Sequence, residues 1–214
     1  MKSIPVFFIV ILSALSIVAC SSNEAPSTPG AILFTDDFSN SDHKWYQSVD
    51  TDVTTDYYNN GYRILINEPN YEAWALPESQ SFADVRIEVD ATKNGGPDDN
   101  DFGIICRYID ENQYYYAIIS SDGYYGIVRK TSNGGFLLDE DDVMLESNKI
   151  NLGAVTNHIR FDCIGNKLTL YVNGNKLVGY QDSTYSNGNV GFIAGTYDAG
   201  GTDILFDNLI VYKP

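Results

Sequence analysis

The chain has 214 residues, with 29 Asp and Glu against 13 Lys and Arg and a formal net charge of −16. That balance excludes a nucleic-acid surface, which needs clustered cations against the phosphates. It also disfavours direct contact with anionic lipid headgroups. The length predicts one domain of sandwich size behind a targeting segment, long enough to bury a full core. The acidic excess reads first as a solubilising surface and second as a means of holding a divalent cation.

Lys2 gives a short positive start, residues 4–18 are nearly all apolar, and Ala19 and Cys20 follow. This run is short for a membrane-spanning helix and reads as a signal-peptide core. Ile17-Val18-Ala19-Cys20 resembles the lipobox of bacterial lipoproteins. The resemblance implies a diacylglycerol on the Cys20 thiol and cleavage just before it. Residues 1–19 are then a lipoprotein signal peptide, 20–30 a lipid-anchored flexible tether, and 31–214 the folded domain. The Ser, Pro and Gly of the tether cannot pack a core. The expected location is extracytoplasmic, held to the cell membrane by the N-terminal lipid. An ordinary secretory signal with a chance cysteine is the plainer alternative.

From Ala31 the predicted elements are short strands. Ala31–Phe34 opens the domain, and Trp45 is expected to plug the core. Val53–Tyr58 and Tyr62–Ile66 flank Asn59-Asn60-Gly61, a hairpin signal. Tyr71–Leu76 carries Trp74. In Phe82–Thr92 the residues Val85, Ile87, Val89 and Ala91 point one way, and Arg86, Glu88 and Asp90 the other. Lys93–Asp101 is a loop on Gly, Pro and Asp grounds.

Phe102–Ile109, Tyr114–Ser120 and Tyr124–Lys130 form an antiparallel meander. Aromatic and β-branched runs there alternate with Asp, Asn and Gly turns. Thr131–Asn157 is irregular and holds an acidic run, Leu138–Asp142, read as a solvated loop. His158–Ile164, Lys167–Val172 and Asn175–Tyr180 are joined by two-residue turns. Val190–Thr196 is apolar without clean alternation. Ile204–Tyr212 ends the domain, and a bulge near Asp207-Asn208 would bring both Phe206 and Leu209 to the core.

So many short strands mean an all-β sandwich or barrel. DDFS (Asp36–Ser39) before Trp45, LTLYVNG (Leu168–Gly174), GNVGFIAG (Gly188–Gly195) and FDNLIVY (Phe206–Tyr212) resemble the concanavalin A-like lectin/glucanase superfamily. The likeness is nearest to its laminin G-like and 3-keto-disaccharide hydrolase-like branches and covers roughly residues 32–213. It implies a two-sheet antiparallel jelly-roll sandwich with one concave face. The same scaffold hosts lectins, hydrolases and adhesion modules, so the site must decide.

Glucanases of this superfamily place three carboxylates on one strand face. Here Glu88-Val89-Asp90 lacks the third, and both read as outer-face polar residues. His43 and His158 are the two histidines, too few for a histidine-built zinc cluster, and HExxH and GxSxG are absent. No catalytic residue is expected, and binding is favoured over catalysis. Sugars stack on exposed aromatics while polar groups fix their hydroxyls. The ligand-binding candidates are Trp74 as a large platform and four meander residues: Arg107, sharing a face with Ile105 on the first strand, Tyr125 and Arg129, sharing a face of the third, and Tyr115 at the corresponding place on the second. A glycoside hydrolase-like enzyme, or an adhesion or scaffold domain binding another envelope protein, are the alternatives.

Two oxygen-rich sets are candidates for a structural calcium: Asp98, Asp99 and Asp101 in one loop, and Asp36, Asp37 and Asp207 if first and last strands meet. The same residues also populate loops for turn reasons. With Cys20 assigned to lipid, Cys106 and Cys163 remain. Both fall on apolar faces, so an exported domain should join them in a disulfide.

Mass spectrometry of the membrane-extracted protein should find a lipid-modified Cys20 at the N-terminus. A soluble mature chain with another, unmodified N-terminus contradicts the lipobox reading.

Overall fold

The structure is a computed structural model and describes residues 28–78 and 80–214. The expected signal peptide, Cys20 and most of the expected tether lie outside the described residues. Sixteen strands follow in order. They are β1 (Ile32–Asp36), β2 (Ser48–Val49), β3 (Val53–Tyr58), β4 (Gly61–Ile66), β5 (Glu72–Ala75), β6 (Val85–Gly95), β7 (Asp101–Asp110) and β8 (Gln113–Ser120), then β9 (Tyr124–Thr131), β10 (Gly134–Leu137), β11 (Leu145–Glu146), β12 (Thr156–Ile164), β13 (Lys167–Val172), β14 (Asn175–Gln181), β15 (Asn189–Gly195) and β16 (Thr202–Tyr212). Among the described residues there is no helix.

All pairings are antiparallel, and they make two sheets. One has nine strands, in the order β14-β13-β12-β6-β16-β4-β3-β2 with β1 added to β16. The other has seven, in the order β10-β9-β8-β7-β15-β5 with β11 added to β9. The chain crosses repeatedly between them, giving the jelly-roll sandwich. Turn chemistry explains the hairpins. Asn59 and Asn60 take φ of 49° and 57°, and Asn173 and Gly174 take 50° and 77°. These are the paired positive values that a two-residue primed turn requires.

The sheets share one core. β6 shows clean alternation, with Val85, Ile87, Val89 and Ala91 buried and the residues between them half-buried. Phe192 on β15 stacks on Phe206 of β16 at 4.2 Å and on Trp45 at 4.7 Å, joining the two sheets through rings. The bulge in β16 lies between Asp207 and Ile210, and it leaves Phe206 and Leu209 both buried. Cys106 of β7 and Cys163 of β12 form the expected disulfide, a second tie between the sheets. It closes a separation of 57 residues, which stabilises by about 4 kcal/mol in the chain-entropy model.

Arg107 was expected to share a sheet face with Ile105, available to ligand. The structure overturns this. The register of β7 against β8 breaks after Cys106, and Arg107 sits at φ 54°, so alternation fails at this residue. Its side chain is 2% exposed. Nη1 donates to the Tyr185 carbonyl at 2.9 Å, Nη2 to the Gly165 carbonyl at 2.8 Å and to Asp84 Oδ1 at 3.2 Å, and Nε to the Ala83 carbonyl at 3.3 Å. One planar fork thus ties the bulge to three loops, a task lysine cannot copy.

Arg107→Ala leaves the buried Tyr185 carbonyl without its donor and hollows out a wholly buried site, and should cost about 3 kcal/mol. Urea unfolding should show a lower midpoint for Arg107→Ala and only partial recovery in Arg107→Lys. An unchanged midpoint in both would contradict the structural role.

Candidate functional site

The seven-stranded sheet has two buried faces. Tyr115, Ala117 and Ile119 of β8 point into the shared core. Tyr114, Tyr116 and Ile118, the alternate residues, belong to a second apolar cluster with Ile105, Val128 and Ile193. Trp74, Leu76, Tyr108, Leu137 and Met144 pack around it, partly buried. No second sheet covers this outer face. Its residues are shielded by Leu137 of β10 and Met144 of the segment that follows, and by a bending of the sheet over them.

The curl is visible in one ion pair. Lys130 Nζ on β9 donates to Glu72 Oε2 on β5 at 2.7 Å. Four strand intervals separate β9 from β5, about 19 Å along the sheet. A lysine and a glutamate side chain together span less than that, so the two edges must bend toward each other. The pair arches over the floor of a groove, with Tyr114, the register partner of Lys130, on that floor.

Register fixes the floor in rows. Trp74 lies beside Ile193, which lies beside Gly103, then Ile118 and Gly126. The next row runs Gly191, Ile105, Tyr116, Val128 and Leu137. A third row holds Glu72, Gly195 and Asp101. The bare Gly195 matters here, because a Cβ at this position would lie 2.8 Å from Asp101 Oδ1. The rings of Trp74, Tyr108 and Tyr116 surround Tyr114, with centroids at 6.5, 5.2 and 5.6 Å.

Two hollows flank the arch, and Tyr71 and Glu72 line both. The first, about 510 Å³, has Tyr46, Trp74, Leu76 and Tyr108 on its walls. The second, about 410 Å³, has Tyr116, Leu137, Met144 and Tyr197 with Asp101 and Asp142. Neither is lined by a lysine or arginine.

Two polar atoms on this face lack a partner. Glu72 Oε1 and the Tyr114 hydroxyl are buried without a hydrogen-bond partner. The Tyr197 hydroxyl donates to Asp101 Oδ2 at 2.8 Å. Burial, reinforced by the charge of Glu72, pushes the Asp101 carboxyl up to about 6 against the opposing Tyr197 bond. Burial, followed by the Glu72 charge, also raises Tyr114 and Tyr116. Their phenols therefore remain neutral donors.

The sequence candidates fall in different places. Trp74 is on the groove, half-buried. Tyr115 and Tyr125 are in the shared core, on the opposite face from the groove. The expectation that they face ligand is therefore corrected. Every residue of β8 from Tyr114 to Ser120 is buried, so alternation could not select its face. The Tyr115 hydroxyl bonds Asp182 and accepts from the Tyr185 amide. Arg129 shares the core-directed face with Tyr125 and closes an ion pair with Asp182 at the margin. Tyr115 and Arg129 thus clamp one loop rather than a ligand. Glu88 and Asp90 lie on the nine-stranded sheet, where His158 Nδ1 meets Asp90 Oδ1 at 2.8 Å.

The candidate calcium sets are divided among other tasks. Asp98 pairs with Lys93, Asp99 is exposed and Asp101 faces the groove. Asp36 is buried, accepting from Trp45 Nε1 at 2.9 Å and the Phe38 amide at 2.8 Å. Asp37 and Asp207 accept from amides of nearby residues. Among the described residues, no group of three or more His, Cys, Asp or Glu is placed to hold a metal ion.

Glu72, Tyr108, Tyr114, Tyr116, Lys130 and Tyr197 were missed as a site from the sequence. The available signal was the triple tyrosine of β8, where a strand apolar on both faces must bury both.

No family model matches the sequence, and no curated protein matches it. Solved structures share the fold. The carbohydrate binding module CBM66 from Bacillus subtilis superposes with a TM-score of 0.62 at 14% identity, covering 78% of this chain and 94% of that one. A protein of unknown function with a galectin-like fold from Bacillus subtilis gives 0.60 at 10% identity, covering 87% and 97%. A GH16 protein of a Bacteroides ovatus mixed linkage glucan locus, in complex with product, gives 0.59 at 12% identity, covering 84% and 100%. At these identities the likeness establishes the jelly-roll, galectin-like fold.

Asp101 gives a test of the site's electrostatics. Its carboxyl stands above the ordinary value of 3.8, so the fold favours the protonated form. The resulting contribution to stability is present below about 4 and lost as pH rises through about 6. Asp101→Asn should therefore gain thermal stability relative to the parent chain between pH 4 and 7. A difference that is flat or falls across that window contradicts the raised carboxyl.

Proposed function

We propose that this protein is a carbohydrate-binding module, lipid-anchored through Cys20 on the outer side of a cell membrane, that holds a glycan in the groove without cleaving it. The observation carrying this reading is the second apolar cluster. A sheet face that presents Trp74 and Tyr108 to one open hollow and Tyr116 to the other, beyond the core, suits the C–H faces of sugar rings. Unpartnered Glu72 Oε1 and Tyr114 hydroxyl offer an acceptor and a donor to sugar hydroxyls. Support also comes from the fold neighbours, which include a named carbohydrate binding module and a GH16 protein with bound product. The tether would let the domain sample polysaccharide near the envelope.

Hydrolysis is a second reading with its own observation. Glu72 and Asp101 face the same groove, one paired to Lys130 and the other favouring its protonated form. Two carboxyls facing one groove, one of them held toward its protonated form, are what glycoside cleavage uses. Both, however, are engaged, Glu72 by Lys130 and Asp101 by Tyr197, in the manner of a preformed binding wall.

Affinity should lie near 0.1–1 mM, about −4 to −5.5 kcal/mol, because single aromatic–sugar contacts are weak. Affinity electrophoresis through soluble polysaccharides should retard the parent chain. Trp74→Ala should abolish most of that retardation and stay folded, since Trp74 is only half-buried. Retardation unchanged in Trp74→Ala would contradict the groove. Release of reducing ends by the parent chain but not by Glu72→Gln would replace binding with hydrolysis.

A further inference from the structure

Both hollows are acidic, the first with Asp50 and Glu72 and the second with one carboxyl more. Glu72, Asp101 and Asp142 all line the second, and no lysine or arginine does. Lys130 reaches Glu72 from the arch but meets only Oε2. Oε1 of the same carboxylate is buried and unpartnered. Beside it, the wholly buried Tyr114 carries its unpartnered hydroxyl on the groove face, close enough to Glu72 to feel its charge. The aromatic wall is built from Tyr71, Tyr116 and Tyr197, with Met144 against the Tyr197 hydroxyl at 3.8 Å. An acidic recess walled by ring faces attracts a cation by both the carboxylates and the ring quadrupoles. It also disfavours a uronate or a sulfated sugar, whose charge would meet acidic side chains and no lysine or arginine in the lining.

We propose that the second hollow is an ammonium site, and that the glycan held here carries a free amine, as a de-N-acetylated amino-sugar residue. The inference rests on the carbohydrate reading above and names its substrate class. The sugar ring lies along the floor of Tyr116, Ile118 and Val128. Its ammonium donates to Glu72 Oε1 and to Asp101, which the bound charge draws into its ionised form, while Asp142 adds a further carboxyl to the lining. The neighbouring sugar passes beside the arch toward Trp74. An N-acetyl group in the same place has one N–H and no charge where the ammonium has three hydrogens and a positive charge, so at most one of the two carboxyls gains a donor.

The test uses the full chain in non-ionic detergent at pH 6 and low salt. Three disaccharides are titrated in by ligand-observed NMR: the glucosamine β1,4-disaccharide, its di-N-acetylated form and cellobiose. Disaccharides keep a polycation from binding the acidic surface at many points. The amine form should bind about tenfold more tightly than the other two, a preference worth one desolvated cation–ring and carboxylate contact. The preference should collapse in Glu72→Gln and in Asp142→Asn, and survive in Glu88→Gln, which alters only the nine-stranded sheet. Trp74→Ala should weaken all three disaccharides alike.

Equal or tighter binding of cellobiose or the acetylated form would overturn the ammonium site while leaving the carbohydrate reading intact. A preference that persists in Glu72→Gln and Asp142→Asn would assign it to general surface charge and overturn the site as well. Binding of none of the three would overturn the ammonium site; retardation in the polysaccharide gels would then show whether the carbohydrate reading stands.

Discussion

Burial of both faces of β8 is the constraint on which the rest of this structure depends. A sheet in a sandwich normally hides one face and wets the other. Here the strand Gln113–Ser120 hides both, one against the second sheet and one beneath the curl of its own sheet. Tyr115, Ala117 and Ile119 are committed to the core. Tyr114, Tyr116 and Ile118 are then left needing cover, and curvature of the sheet supplies it together with Leu137 and Met144. The Lys130–Glu72 pair records how far the curvature goes, because it closes a gap that a flat sheet would hold open.

From that curvature follows the chemistry of the groove. The floor is apolar, the phenols on it stay neutral, and carboxylates stand along one row. The nine-stranded sheet offers no such combination on its outer face. Glu88, Asp90 and His158 there form a polar, partly exposed set, paired among themselves. The acidic excess of the whole chain therefore has two parts with different physical meanings. Most of it is a hydrated surface, and a small part is held in a low-dielectric recess where each charge acts more strongly. Proteins sharing this fold at 10–14% identity include a carbohydrate binding module and a galectin-like protein, so the groove's own residues must carry any argument about ligand.

Much of the fold was legible in the sequence because local rules agreed. Asn59-Asn60 and Asn173-Gly174 named their turns, β6 alternated cleanly, and the three-residue spacing of Phe206 and Leu209 required the bulge that is present. Cys106 and Cys163 were legible for the same reason, since both sat on apolar faces of readable strands. The site was less legible for two physical reasons. First, alternation carries no face information when every position is buried, so Tyr115 was assigned to ligand and Tyr114 was not. Second, the bulge at Arg107 breaks the period within β7 and turns a charged side chain inward, with four acceptors drawn from distant loops. Curvature is a property of the whole sheet. Lys130 and Glu72 lie 58 residues apart, and nothing near either one announces the other. The short strands β10, β11 and β2 were also invisible, being two to four residues long and set by the partner strand rather than by their own pattern.

The central claim is that ligand lies on the outer face of the seven-stranded sheet, under the arch. Backbone amide NMR of the protein during titration with a retained oligosaccharide tests this most directly. The account predicts shifts concentrated on β5, β7, β8, β9 and β15 and on the side-chain indole of Trp74, with the nine-stranded sheet silent. Shifts centred on β6, β12 and β13, around Glu88, Asp90 and His158, would contradict it.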